Sequence, residues 1–77
     1  MSSVNVNFDS IKEKIKCLRK TSELSQEMFG KSIGLRRQDI HAIETGARKP
    51  GLTVLYRIAV EYKISLDWLI LGLDKTD

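Results

Sequence analysis

Hydrophobic residues recur along this chain three and four positions apart, and nowhere do they alternate with polar ones over the length of a strand, so the pattern predicts helices from end to end. A first helix carries Ile11, Ile15 and Leu18 on one side, opens with Asp9 as its N-cap and ends by Thr21. A second starts at Ser25, another capping residue, and runs to Ile33. A third covers Arg36 to Thr45 and stops at Gly46, with Arg48, Lys49 and Pro50 as a basic exit. Leu52, Leu55, Ile58, Ala59 and Tyr62 mark a fourth helix after Gly51, and a short fifth is capped by Ser65 and closed by Gly72. No repeat, low-complexity tract or linker interrupts the pattern. Residues 8–73 therefore read as one all-α unit of five helices, with 1–7 a flexible N-terminal segment and 74–77 a C-terminal tail.

The middle pair carries the most information. Between Ser25 and Gly46, the spacing of Phe29, Ile33, Leu35, Ile40 and Ile43 lets two crossed helices share one apolar seam. Gly30 falls inside the first of them, where glycine costs about 1 kcal/mol against alanine, so close backbone approach is the reason for it. Gly34 ends that helix, where a residue free to take positive φ is wanted. The second helix opens on Arg36, Arg37 and Gln38, which is the layout of a DNA-reading helix. Arginine matches the paired acceptors of guanine, glutamine the acceptor and donor of adenine, and a small side chain such as Ala42 the methyl of thymine.

The fifth helix is apolar almost all round. Leu66, Trp68, Leu69, Ile70, Leu71 and then Leu73 surround it, and a helix of that kind must be buried on more than one side. A second copy of the chain is one source of cover, which makes Trp68, Ile70, Leu71 and Leu73 the expected homodimer interface. The other is the domain itself, with Leu73 to Asp77 folding over the remainder.

Composition narrows the function. The chain has 77 residues, and its 42% hydrophobic content suffices for one helical core; a domain this small often gains stability from a partner. No apolar run is long enough to span a bilayer and no signal peptide is visible, so no membrane association is expected. Cys17 has no partner within the chain, which points to a reducing cytoplasm, and it reads as a small half-buried hydrophobe. The net charge of +3 is unevenly spread: residues 1–50 hold ten Lys or Arg against six Asp or Glu, and residues 51–77 three against four. Such a gradient suits a polyanion, although lysines along a helix are often only its solvated face. No carboxylate pair, activated nucleophile or glycine-rich phosphate loop is present, so neither catalysis nor a cofactor is expected. A single His and a single Cys make no structural zinc site.

These residues resemble the Cro and phage-repressor family of helix-turn-helix proteins, also described as the Xre family. The resemblance covers about residues 15 to 72 and rests on LSQEMFGKSIGL, RRQDIHAIETG, the following RKP and the late SLDWLILG, in that order and at family spacing. It implies a compact five-helix DNA-binding domain and a sequence-specific double-stranded DNA-binding transcriptional regulator, in first reading a repressor. The helix from Arg36 would lie in the major groove, with Arg36, Arg37, Gln38, His41 and Ala42 toward the bases. Ser25 and Gln26 would meet a phosphate at the start of the second helix, and Thr45, Arg48 and Lys49 would grip the backbone beyond the third. Arg19 and Glu44 match a pair that braces the family's domain. The implied assembly is a homodimer on a roughly palindromic operator. Rival readings keep the fold: an antitoxin that also holds a toxin protein, or an interaction module that has lost DNA binding.

Two positions depart from the family. Arg36 stands where a capping Ser or Thr is usual, and Lys63 where a helix-ending Gly is usual. Arg36 puts positive charge against the helix dipole, at roughly 0.3 to 1 kcal/mol, which Asp39 can offset by accepting from free N–H groups of the first turn. Lys63 implies either a left-handed non-glycine residue or a longer fourth helix. Met28 replaces the glutamate of a capping box, leaving Ser25 to cap alone.

Overall fold

The structure, a computed structural model, describes residues 7–72 and forms five helical elements in chain order. These are α1 (Phe8–Thr21), α2 (Gln26–Ser32), α3 (Arg37–Thr45), α4 (Leu52–Tyr62) and α5 (Asp67–Leu71). The expected interface residue Leu73, the 74–77 tail and residues 1–6 lie outside the described residues. One core joins all five elements. Ile11 and Ile15 of α1, Phe29 of α2, Ile33, Ile40 and Ile43 around α3, Val54, Leu55 and Ile58 of α4 and Leu69 of α5 are buried together. The Phe29 ring stacks on Tyr62 at 5.1 Å, tying α2 to the end of α4.

The α2–α3 pair is held by a backbone contact that only glycine permits. A Cβ on Gly30 would stand 2.7 Å from the Leu35 carbonyl oxygen and 3.2 Å from that of Arg36. The missing side chain lets the turn close, and the Leu35 N–H donates to the Gly30 carbonyl at 2.7 Å. Gly34 takes the left-handed conformation at φ 78°, as its place at the end of α2 predicted.

Several expectations change at the element ends. The N-cap of α1 is Asn7 rather than Asp9: its Oδ1 accepts from the Ser10 N–H at 3.1 Å, so Phe8 enters the helix and packs against the core. Asp9 then lies in the first turn, where its charge favours the positive end of the dipole. On α4, Val54 takes a place in the core, and Leu52, which shares the helical spacing of Leu55, Ile58 and Ala59, is 70% exposed. Leu52 lines up with Tyr56 and Val60, four and eight positions on, in an exposed apolar row. Lys63 closes α4 in the left-handed region at φ 56° and ψ 47°, so the fourth helix is not lengthened. Cys17 is exposed, its sulfur 3.9 Å from the Thr21 hydroxyl, because it falls outside the Ile11–Ile15 side of α1. The last element, α5, is wound as a single π-helical turn, started by Ser65 Oγ accepting from the Trp68 N–H at 3.3 Å.

Candidate nucleic-acid interface

Helix α3 is anchored on one side and offered on the other. At about 100° per residue, Gln38, Ala42 and Thr45 point away from the buried Ile40, Ile43 and Glu44, with Arg37 and His41 on one shoulder and Asp39 on the other. Arg36, Arg37, Gln38 and His41 are exposed and Ala42 is half-buried. Of the five residues expected at the bases, Arg37, Gln38, His41 and Ala42 thus fall on the side of α3 away from its buried residues, and Arg36 is exposed at its start. Arg36 itself occupies the N-cap position with extended backbone, and its side chain makes no capping bond. Asp39 supplies what compensation there is, its Oδ2 accepting from the Arg36 N–H at 3.1 Å.

The residues expected at phosphates are placed less uniformly. Ser25 caps α2 alone, accepting from the Met28 N–H at 3.1 Å. Gln26 is half-buried, and its Nε2 donates to Glu44 Oε1 at 3.1 Å, so its amide is oriented from inside the protein. Thr45 and Lys49 are exposed; the Thr45 hydroxyl donates to the Ala42 carbonyl at 3.2 Å and the Lys49 ammonium lies 5.0 Å from the centre of the Phe8 ring. Arg48 donates from Nη1 to Asp39 Oδ1 at 2.8 Å. Sequence reading missed this last pair: its members are nine positions apart, and only the turn after Gly46, where the Arg48 N–H donates back to the Ala42 carbonyl at 3.1 Å, brings them together.

Beneath this surface lies the scaffold pair. Arg19 donates to both oxygens of Glu44, from Nε at 2.6 Å and from Nη2 at 3.1 Å, and from Nη1 to the Leu24 carbonyl at 2.9 Å. The Glu44 side chain is 3% exposed. Its hydrogen bonds, and secondarily its charge, hold the Arg19 pKa above the ordinary arginine value against the opposing effect of burial. Glu44 therefore fixes α1, α2 and α3 at once: Arg19 from the first, Gln26 from the second, itself from the third. Among the described residues no group of three or more His, Cys, Asp or Glu is arranged to hold a metal ion.

A family model described as a helix-turn-helix domain matches residues 12–75. The chain belongs to that helix-turn-helix family. The resemblance to Cro and phage repressors holds for the helix-turn-helix fold as a whole: the P22 c2 repressor, solved with a synthetic operator in the presence of Tl+, superposes with a TM-score of 0.74 at 22% identity. That match covers 94% of this chain and all of the other. A transcriptional regulator from Listeria innocua also gives a TM-score of 0.74 at 20% identity, covering 96% of this chain and 65% of its own. At those identities the likeness is one of fold. Two relatives are nearer in sequence. An uncharacterized helix-turn-helix-type transcriptional regulator of Methanocaldococcus jannaschii is 35% identical over 57 residues, 74% of this chain and 86% of the relative. Another, of Bacillus subtilis, is 34% identical over 62 residues, 77% of this chain and 94% of the relative.

In this helix-turn-helix protein the residues expected to pair two copies are graded in exposure. Trp68 and Ile70 are half-buried and Leu71 is 39% exposed, while their neighbour Leu69 is fully buried in the core. Lys14 covers part of Trp68, its ammonium 5.6 Å from the ring centre.

Proposed function

We propose that this DNA-binding, repressor-like regulator acts as a homodimer on a roughly palindromic operator, with α3 in the major groove of each half-site. The observation that carries the reading is the common exposure of Arg36, Arg37, Gln38 and His41 around the start of a helix whose opposite side is locked by Gly30 and Glu44. A rigid helix with a basic, forked start can reach guanine edges; a mobile one would lose that contact to entropy. Gln26 is a phosphate ligand oriented by Glu44, and Ser25, Thr45 and Lys49 add contacts to the strand on either side. Two-fold symmetry sets the two α3 helices about 34 Å apart, one turn of DNA. Leu71, Ile70, Trp68 and Leu73 form the dimer contact. A DNA partner puts the protein in the cytoplasm, in keeping with the absence, among the described residues, of any helix long and apolar enough to cross a membrane.

Arg37→Ala tests the reading. It weakens binding to the operator by roughly 1 to 3 kcal/mol and relaxes base preference at one position, measured by titration against single-base variants of the site. Equal weakening on every sequence would make Arg37 a phosphate ligand instead. The antitoxin reading draws on the exposed row of Leu52, Tyr56 and Val60, which leaves room on α4 for a protein partner. A stoichiometric complex with the product of an adjacent toxin gene, formed through that row, would favour it.

A further inference from the structure

The shoulder of α3 opposite Arg37 carries a carboxylate with both oxygens engaged. Asp39 Oδ2 accepts from the Arg36 N–H at 3.1 Å, and Oδ1 accepts from Arg48 Nη1 at 2.8 Å. Arg48 is anchored at its other end too, its backbone N–H on the Ala42 carbonyl at 3.1 Å. The chain leaves α3 through Gly46 at φ 86°, and the Arg48 side chain runs back along the helix toward the start of the reading surface. The Asp39 side chain is 27% exposed and that of Arg48 49%, so the pair is open to solvent and a phosphate could compete for the guanidinium.

We propose that Asp39 is a specificity-determining residue: its carboxylate stands in for a DNA phosphate and holds Arg48 off the backbone of duplexes that lack the operator's bases. The proposal rests on the DNA-binding reading above. Sequence-independent affinity comes from cations that release counterions when they meet phosphates, and an arginine already neutralised by a carboxylate has few to release. On the operator, contacts from Arg36, Arg37 and Gln38 to bases seat α3 closely enough for a phosphate to take Arg48 from Asp39, so the penalty falls on the wrong sequences, and the ratio of specific to non-specific binding rises.

The test compares wild type, Asp39→Asn, Arg48→Ala and the double variant on a mixed-sequence duplex over a salt series, with thermal melts alongside. Asparagine keeps an oxygen for the Arg36 N–H, so the helix start survives. Freed Arg48 in Asp39→Asn steepens the slope of log affinity against log salt by about 0.9 and tightens mixed-sequence binding roughly five-fold at 0.15 M salt. Arg48→Ala alone leaves the slope unchanged, and the double variant matches it. A slope shallower by about 0.9 in Arg48→Ala, with no effect of Asp39→Asn, makes Arg48 an ordinary phosphate ligand and overturns the inference while the DNA-binding reading stands. Equal tightening by Asp39→Asn with and without Arg48 reduces Asp39 to simple repulsion and also overturns it. A wild type that binds no duplex even at low salt removes both.

Discussion

Glu44 is the residue on which the arrangement of the first three helices depends most. It is buried, it accepts two bonds from Arg19 and one from Gln26, and among the described residues no other buried side chain carries a charge. Truncating one member of such a pair strands the other, because the charge stays buried without its counterpart. Glu44→Ala should cost about 3 to 5 kcal/mol, read from the denaturant midpoint. Domains of this size are held by only about 3 to 5 kcal/mol from a single core, so the variant sits near unfolding and loses DNA binding without Glu44 touching DNA. A melt indistinguishable from wild type would refute the scaffold role. Family resemblance gave the Arg19 partner but not the Gln26 bond. That third contact depends on how α2 crosses α3, which residue types do not specify. The exposure of Cys17 has a related reason: it lies outside the Ile11–Ile15 side of α1, and the cover such a position receives depends on how the helices cross.

At the scale of elements, five helices were legible in the spacing of apolar residues, and their ends were less so. Asn7 and Asp9 are both good caps, and the choice fell to Asn7 because it brings Phe8 into the helix and onto the core. Leu52 fits the period of α4 and still points outward, since the row it shares with Tyr56 and Val60 lies to one side of the Val54, Leu55, Ile58 and Ala59 face. The start of α3 is where sequence and structure agree most usefully. The sequence marks Arg36 as a lost cap, and the structure has half a capping box, with Asp39 accepting from the Arg36 N–H and nothing returned. Arg36→Ser supplies the missing oxygen and should stabilise the free domain by roughly 0.5 to 2 kcal/mol in a thermal melt. The same substitution should weaken operator binding, because the charge at that position is retained for DNA. Unchanged affinity would mean that Arg36 only faces solvent.

For the whole molecule, the proposed reading surface lies on α3 in the middle of the chain and the proposed pairing surface on α5, with basic residues concentrated in the first 50 positions. The basic surface was legible from charge and motif together. The Asp39–Arg48 pair was not, because it depends on the fold bringing together two residues nine positions apart. Among the residues assigned to pairing, Leu71 is the exposed one in the described part of the chain, so Leu71→Asp should shift the protein toward monomer in sedimentation equilibrium and weaken binding to a full operator far more than to a half-site. Tyr56→Ser on α4 is the control that should leave assembly unchanged; the reverse pattern would move the interface to the α4 row. Selection of binding sites from random duplexes reaches the central claim most directly. The account predicts a recovered site made of two inverted half-sites whose centres lie about one helical turn apart, with guanines at the positions nearest the start of α3. Recovery of no enriched sequence would contradict it.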